Sequence, residues 1–338
     1  MFRRCEIVLG VLGLLFSGVG SISATAATTY QWARTVGSYG SGNGQFSYPN
    51  GVAIDSSGNI FVTDYDNDRI EEFDNSGNYL TQFGSYGRGN GQLIWPTAIA
   101  ADLSGNVWVY DSDNLRLEEF NHSGAYVGQS NTYFVYPASV GGIAADASGN
   151  VWVTVTSTNN SSPVHELSSS GTVIRGVGSF GSGSGQFSYP HGIAIDSSGD
   201  VFVSDMYHNC VEELDSNGTF IRQFGSYGTG NGQFESPQGI ALDAAGNIFV
   251  ADYDNDRIEE FDSSGNYLTQ FGRYGTGDGQ FIYPNAVAVD GTGHVWVVDG
   301  YSNNRIEEFA PVPEPSTLAL LGVGAISLLA YAWRSRRV

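Results

Sequence analysis

His191 follows Pro190, and the same step past a proline recurs at Asn50, Thr97, Ala138, Gln238 and Asn285. Imidazole, amide and hydroxyl groups at one repeated offset offer donors and acceptors of different kinds to a single ligand. If each proline opens an innermost strand, this row lies at the mouth of a central channel. Unlike polar groups converging on a concave mouth make a binding site. Asn50, Thr97, His191, Gln238 and Asn285 are therefore the candidate ligand-binding residues. His122, His165, His208 and His294 stand at unrelated offsets, so the three protein ligands of a catalytic zinc are not assembled. No Gly-x-Ser-x-Gly elbow or phosphate loop supplies another reaction. No catalytic residue and no metal ligand is assigned.

Carboxylates form further patterns. Asp55, Asp102, Asp146, Asp196, Asp243 and Asp290 each open an Asp-x-x-Gly turn, where the side chain can accept backbone N–H bonds. Nine residues later come Asp64, Asp111, Asp205, Asp252 and Asp299, with Val155 in the third place. These can pair with the later Arg69, Arg116, Arg257 and Arg305, tying two strands together. The alternating acids of Asp64-Tyr65-Asp66-Asn67-Asp68 and of 252–256 suit Ca²⁺ but lack the glycine and distal glutamate of an EF-hand loop. No cofactor is expected, Ca²⁺ being the one candidate. The pairs Glu71-Glu72, Glu118-Glu119, Glu212-Glu213, Glu259-Glu260 and Glu307-Glu308 read as a solvated belt on an outer strand, which protects edges from association. Cation-bridged contact with acidic matrix polymers is the functional version of the same belt. Cys210 reads as a small buried filler.

The elements that must position these groups repeat. Pro49, Pro96, Pro137, Pro190, Pro237 and Pro284 are spaced by 47, 41, 53, 47 and 47 residues. Each unit holds four short runs rich in Val, Ile, Phe, Trp and Tyr, separated by Gly-Asn and Ser-Gly turns, which is strand and hairpin chemistry. Four strands per unit is one propeller blade. No Trp-Asp dipeptide occurs, and paired glycines occur once, at Gly141-Gly142, so neither WD40 nor kelch fits. The last unit stops after its third run, at Arg305–Phe309, while Tyr30–Gly40 matches Tyr79–Gly87. One blade is thus built from both ends of the chain. The reading is an all-β, six-bladed β-propeller closed by the N-terminal strand. The third unit is irregular, having lost its Gly-rich connector and the Asp/Arg loop.

The phrases Gly51-Val52-Ala53-Ile54-Asp55, Gly58–Asp64 and Asn67–Phe73, with their counterparts in the other units, resemble the NHL repeat across residues 30–309. The resemblance implies a six-bladed propeller. It implies no single function, because such propellers serve as protein-binding, RNA-binding, sensor and lyase domains. In the NHL-like amidating lyase, histidines at the position of His191 in several blades bind a catalytic zinc; this chain has one in one blade.

The ends carry addresses. Arg3-Arg4, the apolar stretch Ile7–Val19 and Ala24-Thr25-Ala26 make residues 1–26 a secretory signal peptide. The propeller is expected over 27–311. Residues 312–338 read Val312-Pro313-Glu314-Pro315-Ser316-Thr317, an apolar run Leu318–Trp333, then Arg334-Ser335-Arg336-Arg337. That order resembles the PEP-CTERM signal. It implies an exosortase-type processing enzyme and a transmembrane helix that anchors the chain transiently in the inner membrane, its arginines cytoplasmic. Residues 27–311 hold 9 arginines, no lysine and 33 acidic residues, a charge of −24. Such a surface repels phosphate backbones, so nucleic acid is not an expected partner. The expectation is an exported protein of the cell surface, outer envelope or extracellular space. It would bind or scaffold protein or extracellular polysaccharide partners. The alternative is a secreted lyase or hydrolase using the central channel.

Overall fold

The computed structural model describes residues 28–130, 140–156 and 162–312. The expected signal peptide, Ala138 and the expected C-terminal helix lie outside the described residues.

Blade 1 consists of Pro49–Ile54, Ile60–Asp64, Arg69–Phe73 and Tyr79–Phe83, hydrogen-bonded in that order from the inside outward. The pattern repeats over 96–129, 140–177, 190–224 and 237–271. Blade 6 takes its three inner strands from Ala286–Val289, Val295–Asp299 and Arg305–Val312, and its outer strand from Thr29–Val36. That closing pair runs antiparallel from Thr29 opposite Val312 to Val36 opposite Ile306. The inner strands of neighbouring blades pack side by side around the ring, and that of blade 1 meets that of blade 6. The propeller is therefore six-bladed and closed by the N-terminal strand.

The second strand of every blade is buried along its whole length, which is why each opens with an unbroken apolar run such as Ile60-Phe61-Val62. Alternate side chains enter opposite inter-blade gaps. Ile60 and Val62 pack with Trp296 and Val298 of blade 6, while Phe61 packs with Val107 and Val109 of blade 2. Six such clusters fill the six gaps.

The carboxylate patterns divide. Asp55 Oδ1 accepts the Ser57 and Asn59 N–H groups at 2.8 and 2.9 Å, as expected for a turn-fixing side chain. Asp64, Asp111, Asp252 and Asp299 pair with Arg69, Arg116, Arg257 and Arg305 at 2.7–3.0 Å. The glutamate belt is overturned. Both residues of each pair are buried, Glu71 at 0 % and Glu72 at 6 % exposure. They sit on the third strand, which the fourth covers, and successive side chains turn into the two flanking gaps.

Each arginine also holds a glycine-rich connector. Arg69 donates to the Ser41, Gly42 and Gln45 carbonyls and to Gln82 Oε1, and Glu71 lies 3.0 Å from it. The connector's carbonyls thus face a cation, the opposite of a phosphate cradle. Blade 4 places buried Cys210 where the arginine would be, and His208 Nδ1 reaches Asp205 at 2.8 Å instead.

Candidate ligand site at the channel mouth

The expected row splits into two levels. Asn50, His191 and Asn285 line the channel together with Gly51, Gly141, Gly192 and Gly239. Asn50, Gln238 and Asn285 also line a cavity of about 160 Å³ together with Tyr48, Tyr253, Tyr283 and Tyr301. Thr97 lines neither cavity. Its hydroxyl is 3.0 Å from Ser112 Oγ, and its carbonyl accepts from Thr63 Oγ1 at 2.7 Å. Its side chain is engaged in local structure.

Two buried atoms in this region have no partner among the described residues: His191 Nδ1 and Asn285 Oδ1. Asn285 donates its amide to the Asn50 carbonyl, which fixes the orientation of the free oxygen. Burial pushes the His191 imidazole down to about 4, so it is neutral at ordinary pH. Among the described residues no carboxylate lines the channel beside it.

The glycines of the inner strands bring the blades this close. A Cβ on Gly192 would stand 2.3 Å from the Gln238 carbonyl oxygen, and one on Gly51 would stand 2.5 Å from that of Thr97. Thr63, Thr154 and Ser204 then bridge adjacent blades, each accepting an N–H from its own inner strand and donating to a carbonyl of the next.

Sequence reasoning missed the aromatic rim. Tyr253, Tyr283, Tyr301, Tyr48, Tyr65 and Trp95 form a continuous arc across blades 5, 6, 1 and 2. Successive ring centroids lie 5.0, 5.6, 5.7, 5.7 and 5.9 Å apart. Tyr48, Trp95 and Tyr283 adopt φ of 62°, 56° and 59°, a left-handed conformation that costs a bulky residue on the order of 1–3 kcal/mol. A side chain from the preceding blade holds each one. Asn304 accepts the Tyr48 N–H at 2.8 Å, and Asp68 and Asp256 accept those of Trp95 and Tyr283 at 2.9 Å. The legible signal was the aromatic just before the anchoring proline, at Tyr48, Trp95, Tyr136, Tyr189 and Tyr283.

Burial raises the phenols of Tyr48 and Tyr253, the latter to about 12, with neighbouring tyrosines and Asp66 or Asp254 adding to the effect. The hydroxyls stay protonated and able to donate. In the first acidic loop each carboxylate has a protein partner: Asp64 serves Arg69, Asp66 meets Ser47, and Asp68 holds Trp95. Among the described residues no three His, Cys, Asp or Glu side chains are grouped to hold a metal.

Residues 46–73, 187–212, 234–261 and 281–309 match the NHL repeat family, and residues 311–337 match the PEP-CTERM protein-sorting motif. No curated protein matches the sequence significantly. Among solved structures, a protein from Bacteroides thetaiotaomicron is 17 % identical, with a TM-score of 0.65 over 84 % of this chain and 76 % of that one. A streptogramin B lyase is 13 % identical, with a TM-score of 0.59 over 85 % and 98 %. A gluconolactonase from Xanthomonas campestris is 14 % identical, with a TM-score of 0.57 over 80 % and 88 %. At these identities the likeness is one of fold.

Proposed function

The chain is an NHL-repeat, six-bladed β-propeller with a C-terminal PEP-CTERM sorting motif, and on that premise we propose that it is an exported binding module whose ligand enters at the channel mouth. The carrying observation is a cavity where the amides of Asn50, Gln238 and Asn285 meet four tyrosines, Asn50 and Asn285 also lining the channel beside His191. Phenols and carboxamides both donate and accept, so a ligand's hydroxyls or amides can pair with them. The sorting motif supports export to the cell surface and processing by an exosortase-type enzyme. Transient inner-membrane anchoring through residues 312–338 belongs to the same proposal.

The enzymatic alternative, a lyase or hydrolase in the channel, would rest on His191. A neutral imidazole with no carboxylate beside it among the described residues lacks the partner that orients and recharges a general base. Binding is therefore the better-supported reading. Residues 27–312 and their Asn285→Leu variant should be screened on glycan and peptide arrays, with Ca²⁺ and with chelator. The expected result is a specific hit that weakens at least about tenfold in the variant while its melting temperature is held. Hits indifferent to Asn285 would refute a mouth site.

A further inference from the structure

Resting on the mouth-site reading, we propose that the ligand is an uncharged polysaccharide, its end residue seated among Tyr48, Tyr253, Tyr283 and Tyr301 and the following residues lying over Tyr65 and Trp95. The arc is longer than a small-molecule pocket needs. At each end its rings are nearly parallel, 19° between Tyr253 and Tyr283 and 8° between Tyr65 and Trp95. Trp95, stacked on Tyr65 and 46 % exposed, keeps ring surface free for the flat face of a pyranose. The axial C–H groups of that face are weakly positive and meet the negative π face. Trp95 and Tyr301 remain 46 % and 52 % exposed, with half-buried Tyr48 and Tyr65 between them.

The polar groups fit the same ligand. Sugar hydroxyls both donate and accept, as do phenols and carboxamides. The cavity offers four phenols and the amides of Asn50, Gln238 and Asn285. Further residues would extend along the rim over Tyr65 and Trp95.

Charge sets the class. Among the described residues no arginine lines the cavity, the chain has no lysine, and residues 27–311 carry −24. Exposed Asp66 and Asp254 flank the arc. Uronates and sulfated chains would be repelled. A cationic ligand is the competing class, because Tyr283 and Tyr48 meet Tyr301 at 83° and 69°, and an oligolysine probe tests it.

The test is titration of the closed propeller, residues 28–312, with three hexameric probes: neutral β-glucan oligosaccharides, an alginate oligosaccharide and an oligolysine peptide. Trp95→Ala and Tyr301→Ala both alter exposed side chains, and circular dichroism and melting establish that the variants fold. The expected result is binding of the neutral oligosaccharide alone, weakened at least about tenfold in each variant. Mouth-dependent binding of alginate or oligolysine would overturn the polysaccharide inference and leave the mouth-site reading standing. Neutral binding unchanged in both variants would also overturn it. No binding of the neutral oligosaccharide would overturn the inference, while the mouth-site reading stands or falls on the array screen with Asn285→Leu.

Discussion

One guanidinium facing two carboxylates is the residue-scale device of this ring. Arg69 lies between Asp64 and Glu71, and Arg116, Arg257 and Arg305 repeat the arrangement. A single positive charge cannot neutralise both acids out of water, so burial raises the glutamate. Glu71, Glu118 and Glu307 rise to about 7 and Glu259 to about 8. Glu260, with both oxygens buried and unpartnered, also rises to about 7. A carboxyl raised in the folded state binds its proton more tightly there than when unfolded. It therefore stabilises the fold fully below about 4.5 and loses that contribution as pH rises through 7–8. His191, pushed down to about 4, acts the other way between 6.5 and 4 but is outnumbered. The denaturant midpoint should rise as pH falls from 8.5 to 5.5, on the order of 2–3 kcal/mol for one such group. Glu259→Gln should flatten the slope. A midpoint that falls over that range would contradict the assignment.

At the element scale, the inner strands are set by close backbone approach. Gly192 has ordinary φ, so its role is space, not conformation. A methyl there meets a carbonyl that cannot swing away, and Gly192→Ala should cost about 1–3 kcal/mol by thermal or denaturant unfolding. A methyl on Gly291 would meet nothing within 4 Å, so Gly291→Ala is the matched control and should stay within about 0.5 kcal/mol. Equal effects would show that the glycines serve chain flexibility instead. The same close packing seats the aromatic rim, because a side chain of one blade holds the strained residue of the next.

For the molecule as a whole, closure comes from a strand nearly the full chain length away. Thr29–Val36 covers the edge of Arg305–Val312, and Arg34 supplies Glu308 with its cation. Deleting residues 28–36 should leave a long unpaired edge and strip Glu308 of its arginine, with His294 as its remaining partner. Size-exclusion chromatography should then show aggregates or strand-swapped oligomers in place of a monodisperse ring. A monomer of unchanged stability would mean that closure rests on the inner strands alone.

The repeat, the four strands per blade, the closing strand and the Asp–Arg pairs are all legible along the chain. Each is written in local spacing, and near-identical units must repeat one geometry. The row at Asn50, His191, Gln238 and Asn285 is legible for the same reason. Three features emerge on folding instead: Thr97 turns to Ser112, the glutamate pairs are buried, and six aromatics from four blades meet in one arc. Burial depends on which strand another strand covers. Adjacency across blades depends on ring closure, which brings Tyr48 beside Tyr301 although 253 residues separate them. No local pattern encodes that distance.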